Sequence, residues 1–401
     1  MLKITYDISL LGLDHGRMAP KTGTVRAIKS LFFHLLDRTD IDLRLAAPLS
    51  YTALRLSLDL IRTTPRLAGK EIPLSLSNRL GVFLEPLTRF QAAPRLNNKF
   101  LSRTDIYRTQ FLDMETIRKK KGLKKVFALY DLIPLIHPEY YTGLEYIVRL
   151  CRRSIAMIDR SMFFLCISES VRNDLLRFRK DLRPSQAKVI YLGASEHFSP
   201  FEDKEVTDKT REKYHVPKGM RYLLSLTTLE PRKNLDRLIR CFYKFVEENK
   251  AEDLVLVLAG VNGWDFSKIY EEADKNQKLR NKVIFMGYVP DADLPPLCSG
   301  ALAFVYLSLY EGFGLPVLEA MQCGAPVIIS NTSSLPEVAG NAGILVDPTD
   351  EEAIVDSFYR ICKDENLRSD LSKKSIERAR LFSWKKCAQE TVDFYKKVVE
   401  G

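Results

Sequence analysis

The feature that most limits what this chain can fold into is a rhythm. Short apolar runs, rich in β-branched and aromatic residues, alternate with longer amphipathic segments. In the first half the runs are LKITYDIS (2–9), IDLRLAAP (41–48), KVFALYDLI (125–133), SMFFLCISE (161–169) and KVIYLG (188–193). Their length and composition read as strands. TVRAIKSLFFHLLDR (24–38) and SVRNDLLRFRK (170–180) read as helices, while residues 63–104 fit neither pattern. A polar stretch at 198–220, a linker with a short helix, interrupts the rhythm. It then resumes with strands YLLSLTT (222–228), LVLVLAG (254–260), KVIFMGYV (282–289), ALAFVYLS (301–308), PVIIS (326–330) and GILVD (343–347), and helices such as 234–248. Strands apolar almost throughout, separated by helices, belong to parallel sheets covered on both faces. A chain of 401 residues exceeds one ordinary core. The expectation is an α/β protein of two doubly wound, Rossmann-like domains, 1–198 and 199–382. An amphipathic helix follows at 383–401, with Ser383 as its N-cap. In such sheets ligands sit at the carboxyl ends of the strands.

Charge narrows the partners. The net charge is +10, from 61 Lys+Arg and 51 Asp+Glu. Residues 1–200 hold 33 of the cations and 19 of the anions, so they carry +14 and the remainder −4. The clusters are RKKKGLKK (118–125), RLCRR (149–153) and RFRKDLR (177–183). A solvated basic face explains them as well as an anionic partner does. No zinc-finger spacing or RNA-binding signature accompanies them, so nucleic acid is not expected as a partner. An anionic membrane surface or a lipid-linked phosphate is favoured. No apolar run is long enough to span a bilayer. Asp7 interrupts the first apolar stretch, which reads as a core strand and not a signal peptide. Seven scattered cysteines without a CxxC pair read as buried thiols of a cytoplasmic protein.

The densest chemistry lies in YEGFGLPVLEAMQCGAPVI (310–328). It follows a strand directly. Gly312 and Gly314 permit tight turns, Pro316 suits a first helical turn, and Gly324 suits the helix's end. Glu311 then lies in the strand-end loop and Glu319 about one turn into the helix. The amides near Leu315, Val317 and Leu318 sit at a helix N-terminus, which attracts anions. Two carboxylates beside such an end fit a ligand with both phosphate and hydroxyls, as a sugar nucleotide has. An exposed Glu319 and a Glu311 that merely favours the helix dipole remain the plain alternative. A glycosidase pair does not need the phosphate-binding end, and two glutamates without His or Asp make a poor metal site. Asp291 and Asp293 read as helix-start residues.

A second constellation is TTLEPRKNLDRLI (227–239), where Arg232 and Lys233 stand at a strand mouth before Asn234, a good N-cap. A planar guanidinium and a mobile ammonium suit a diphosphate and would stabilise charge growing on a leaving phosphate. In the first half, Gly23 and Thr24 open a helix and offer backbone donors to a phosphate. Asp131 follows a strand and suits an acceptor hydroxyl or a local turn. His137 is not expected to be catalytic.

These residues resemble the retaining GT-B glycosyltransferases of family GT4, which include bacterial mannosyl- and rhamnosyltransferases of surface polysaccharide assembly. The matching stretches are YLGA with SEHF (191–198), TTLEPRKNL (227–235), VLAGVNGW (257–264), residues 283–348 and the terminal FSW. The first half matches more loosely, through TGTVR and YDLIPLIHPEYY. The resemblance implies the GT-B architecture, two domains facing a cleft, with the terminal helix completing the first. It implies that Glu319 binds the nucleotide ribose, Glu311 the donor sugar, and Arg232 and Lys233 the diphosphate. Phe313, Gly314 and Leu315 would lie against sugar and phosphates, with Gly260, Tyr288, Gly23 and Thr24 also on the donor side. Such enzymes typically need no metal and no cofactor beyond the donor substrate. Many relatives place His before Asp in the YDLIP motif. Tyr130 stands there instead, and a phenol is a poor base at neutral pH, so Tyr130 and Asp131 form an altered acceptor-side pair.

The expected protein is therefore a cytoplasmic hexosyltransferase acting on a saccharide or lipid-linked saccharide, with peripheral association at the inner face of the cytoplasmic membrane as a further expectation. GDP-mannose is the first donor and a UDP- or dTDP-sugar the second. An epimerase or phosphorylase, a non-catalytic sugar-nucleotide-binding subunit, and a nucleic-acid binder are the rivals, in that order.

Overall fold

The computed structural model describes residues 1–18, 23–73, 82, 104–110 and 123–401. Residues 118–122 of the first basic cluster, and most of 63–104, lie outside them. By packing, the chain divides into two compact units, Met1–Gly193 with Trp384–Gly401, and Ala194–Ser383.

The first unit holds β1 (Leu2–Asp7), β2 (Ile41–Ala46), β3 (Ile106–Gln110), β4 (Lys124–Leu129), β5 (Met162–Cys166) and β6 (Ala187–Val189). Among the described residues they form one parallel sheet in the order β2-β1-β3-β4-β5-β6. All five strands expected here end sooner than expected, two of them at recognisable turns. After β1, Asp7 Oδ1 accepts the Ser9 N–H at 2.9 Å and the chain turns into the helix Ser9–His15. After β4, Pro134 sits in the first turn of a short helix, Ile133–Ile136. The polar strand β3 (IYRTQ) was not foreseen. Its Arg108 is fully buried, with the guanidinium 4.4 Å over the Tyr6 ring. The terminal helix Trp384–Glu400 packs on this unit. It buries Trp384, Cys387, Val392 and Tyr395, and Phe394 meets Phe163 edge-on at 6.4 Å. Each fully buried large apolar side chain contributes roughly 1.5–3 kcal/mol.

The second unit holds β7 (Arg221–Leu226), β8 (Leu254–Ala259), β9 (Val283–Gly287), β10 (Ala303–Tyr306), β11 (Val327–Ser330) and β12 (Gly343–Val346). The order is β12-β11-β10-β7-β8-β9, again all parallel. Every residue of β8 is buried, as a strand covered on both faces requires. The helix Leu235–Asn249 packs Leu238, Ile239, Phe242, Phe245 and Val246 into the core. The first strand of the unit, β7, neighbours its fourth, β10. Connections leave these two strands in opposite directions along the sheet, so their following loops part and open a crevice at the carboxyl ends. All seven cysteines are buried and free.

Candidate active site

The crevice of the second unit collects the residues that carry the strongest sequence signals. The chain leaves β7, passes Glu230, and makes a single 3-10 turn, Pro231–Lys233. Pro231 favours that turn because its missing N–H would be unsatisfied there. The turn carries Arg232 and Lys233 back into the protein, where both are buried. From β10 comes Glu311, also buried. Its carboxylate pairs with Lys233 Nζ and, at 3.0 Å, with Arg232 Nη1. Tyr306 OH accepts from Lys233 at 2.8 Å and donates to Glu311 Oε1 at 3.1 Å. Arg232 Nη1 also donates to Tyr310 O at 2.7 Å, which ties the β7 loop to the β10 loop. Arg232 Nη2 reaches Glu230 Oε1 at 2.5 Å.

The electrostatics divide the two loop carboxylates. Burial alone would raise both. At Glu311, Arg232 and then Lys233 outweigh burial and hold the carboxyl at about 2. At Glu230, burial prevails over the same two cations, and its carboxyl sits above the usual range. Lys233 is held above its ordinary value. Burial and Arg232 pull it down, but Glu311, Tyr306 and Glu230 more than compensate.

The loop after β11 braces this arrangement. Ser333 Oγ accepts the Glu311 N–H at 2.9 Å, and Ser334 Oγ donates to Glu311 O and Phe313 O at 2.9 and 3.0 Å. Gly314 then adopts φ +104 and begins the helix Leu315–Gln322. A side chain at Gly314 would also meet Leu335 Cδ2 at 2.6 Å. Phe313 is buried against Phe382. Glu319 is 2% exposed, so it is not the exposed helix residue of the plain alternative. Val317 and Leu318 N–H donate back to Gly314 O, so of the three expected anion donors these two are engaged within the helix.

Gly260 ends β8 with φ +144, and a Cβ there would stand 1.7 Å from Thr227 O. Its glycine is demanded by the close approach of the loop after β7. Tyr288 follows edge strand β9 and is 54% exposed, two strands away from β7. Asn234 corrects an expectation. It stands at the cap position in a left-handed conformation, but its side chain makes no cap bond. The amide instead donates to Leu307 O and Pro348 O at 3.2 and 2.8 Å, joining the ends of β10 and β12 to the cation loop. Asp293 bonds Lys213 and Tyr214, each at 2.6 Å, and Asp291–Asp293 leads into the helix Leu294–Ser299.

The remaining candidates belong to the first unit. Gly23 and Thr24 open the helix Gly23–Leu36. Asp131 Oδ1 accepts the Ile133 N–H at 3.1 Å, a local turn bond. Tyr130 is raised above its ordinary pKa by burial, with the Arg108 guanidinium bonding it and opposing that rise. Glu230, Tyr306, Ser333 and Ser334 are the participants in the second unit's cluster that the sequence did not single out. The serines had a signal in NTSSLPEV, a polar loop after a strand in the same sheet. Glu230 had one in its adjacency to the cations.

Three comparisons bear on this geometry. The family model "Glycosyl transferases group 1" matches residues 206–378, which hold the whole cluster. The chain is 32% identical over 274 residues to the O-antigen chain mannosyltransferase B of Escherichia coli, covering 68% of this chain and 70% of that one. It is 29% identical over 279 residues to the serotype-specific mannosyltransferase WbdA of Escherichia coli, but spans only 34% of that longer protein. Among solved structures, Anabaena HepE in complex with UDP and glucose superposes with a TM-score of 0.69 at 17% identity, with 98% of each chain covered. Sucrose-phosphate synthase of Thermosynechococcus elongatus gives 0.68 at 19% identity, with 99% of each covered. The fold class is the one expected, two doubly wound α/β units of the GT-B kind.

Proposed function

This chain belongs to the glycosyl transferases of group 1 and is a glycosyltransferase, and we propose that it moves mannose from GDP-mannose to a saccharide or lipid-linked saccharide in surface polysaccharide synthesis. The observation that carries the donor class is the buried Arg232–Lys233–Glu311 cluster at the crevice of the second unit. Two cations fixed at the carboxyl ends of the strands match a diphosphate. The two mannosyltransferase relatives support the sugar.

In this reading Glu319 takes the ribose hydroxyls, and Phe313, Gly314 and Leu315 lie against the sugar and phosphates. The bond from the anomeric carbon to the diphosphate oxygen breaks as the acceptor hydroxyl adds from the same side. The hydroxyl proton passes to the departing phosphate oxygen, and configuration is retained. Arg232 and Lys233 hold the negative charge that grows on the diphosphate. Their positions are set before reaction by Glu311, Glu230 and Tyr306, so little reorganisation is needed during it.

A lipid-linked acceptor would bring the enzyme to the inner face of the cytoplasmic membrane. On the helix Glu145–Met157 of the first unit, Tyr146, Arg149, Leu150 and Arg153 are exposed. They recur at helical spacing on one face, the mixture of cation and apolar side chain that suits an anionic lipid surface. No described helix is long and apolar enough to cross a membrane.

A thermal-shift panel of GDP-, UDP-, dTDP- and ADP-sugars, each with and without EDTA, tests the donor. A bound ligand raises the melting temperature by mass action. GDP-mannose should stabilise the protein, and Glu319→Ala should abolish the shift. The EDTA arm shows whether a metal shares the work of the two cations. Stabilisation by a UDP- or dTDP-sugar alone would replace the donor, and stabilisation by none would refute the donor class.

A further inference from the structure

The crevice cluster is charge-balanced before any ligand arrives. Glu230, Glu311, Arg232 and Lys233 are all buried, at 3, 8, 9 and 8% exposure. They amount to two negative and two positive charges held together by the ion pairs described. The groups facing Glu230 can be named by element. The β7 loop supplies Arg232 and Lys233, and the β10 loop supplies Glu311. From the loop after β8, Gly263 leaves room beside the Glu230 side chain. Tyr306 lies behind Lys233 and Glu311. The loop after β11 brings only the uncharged Ser333 and Ser334.

A nucleotide sugar carries two negative charges on its diphosphate, neither of which titrates near neutrality. Placed on Arg232 and Lys233, it would leave the buried cluster at −2. Charge of that kind is costly out of water, and a titratable neighbour relieves it by binding a proton. Glu311 is poorly suited to do so, being tied to Lys233, Arg232 and Tyr306 with its backbone bonded to Ser333. Glu230 has one side-chain partner among the bonds described, Arg232. Resting on the nucleotide-sugar reading above, we propose that Glu230 takes up a proton from solvent when the nucleotide sugar binds. It is a positioning residue that holds Arg232 in the empty site and a neutral hydrogen-bond donor to the diphosphate in the filled one. Its ordinary state fits this role, since burial already lifts its carboxyl above the usual range.

The proton balance is simple. Bound Glu230 gains one O–H bond from a solvent proton, its carbonyl oxygen continues to accept from Arg232, and the proton is returned when the nucleotide leaves. Linkage then requires donor affinity to fall as pH rises, by up to about tenfold per pH unit for one proton taken up.

The test is titration calorimetry of the full chain with GDP-mannose, repeated with UDP-glucose and a dTDP-sugar, in buffers of different ionisation enthalpy between pH 6 and 8. The expected result is uptake approaching about one proton per nucleotide sugar in the wild type. In Glu230→Gln, which keeps the acceptor for Arg232 but cannot ionise, uptake should vanish and affinity should become flat with pH. Binding with no buffer dependence in the wild type would overturn the proposal and leave the donor reading standing. Uptake that persists in Glu230→Gln would overturn it too, by assigning the proton elsewhere. No binding of any nucleotide sugar would overturn the donor reading and the proposal with it.

Discussion

Replacing Glu311 by Gln should cost the second unit about 3.5 kcal/mol at neutral pH, and should do so before any substrate is present. The figure follows from the pair itself. The Glu311 carboxyl is held at about 2 against an ordinary 4.5, a difference of 4.5 − 2 = 2.5, and each pKa unit is worth about 1.4 kcal/mol. Removing one partner of a buried pair costs about 3–5 kcal/mol by a separate route, because the charge left behind is uncompensated. Here Gln would leave Arg232 and Lys233 with Glu230 alone. In a unit of this size the melting temperature should fall by roughly 7–14 °C. The chain has two tryptophans, Trp264 in the second unit and Trp384 in the first. Urea melts followed by fluorescence in a Trp384→Phe background would therefore report the second unit.

The sign of the pH dependence is also set. Glu311 is depressed in the folded state, so its contribution is complete above the unfolded value and is lost as pH falls towards about 2. The gap between wild type and Glu311→Gln should be full at pH 6–7 and reduced to about half near pH 3. Equal stability at pH 7, or a gap that does not shrink in acid, would refute the charged, buried pairing on which the account of the site depends.

Two further outcomes are expected. Tyr130→Phe should leave the pH–rate profile between pH 6 and 9 unchanged in shape, because burial keeps the phenol protonated there; loss of an alkaline limb would show that this hydroxyl titrates in the reaction. The full chain should co-sediment with vesicles rich in anionic phospholipid and be released by raised salt, and Arg149→Glu with Arg153→Glu should weaken the binding severalfold, whereas equal binding to neutral vesicles would exclude charge as its cause.

The parallel sheets were legible because their signal is local. A strand covered on both faces must be apolar almost throughout, and β8 and β10 are apolar at every position, while β11 carries one serine, Ser330. Strand β3 was not, because IYRTQ carries an arginine that burial normally forbids and that is tolerated here beside the Tyr6 ring, Tyr130 and Tyr395, contacts made far along the chain. The same division runs through the site. Glu311, Arg232 and Lys233 stand out in short motifs, and the structure brings them together. Asn234 misled because a cap is a local expectation, whereas its amide is engaged by Leu307 and Pro348, which follow β10 and β12 and lie far along the chain from it. Glu230 was passed over for a similar reason. In sequence it is one more acidic residue before a proline, and its significance depends on being buried with two cations and a second carboxylate.

That burial also bears on how such a site can be stable while empty. Arg232 and Lys233 without counter-charges would repel each other across a short buried turn, and Arg232 already pulls against the proton affinity of Lys233. The glutamates from the two loops at the β7–β10 junction remove this cost and fix the cations at the carboxyl ends of those strands. The same neutrality makes the empty site a weak attractor for a stray anion, since no net positive charge is left over to draw one in. Affinity must then come from displacement, with a ligand gaining Arg232 and Lys233 only by easing one carboxylate aside or neutralising it. A lone phosphate pays that cost for few contacts. On the proposed reading, a nucleotide sugar would spread that cost over ribose, diphosphate and sugar, so the cluster would favour the larger ligand.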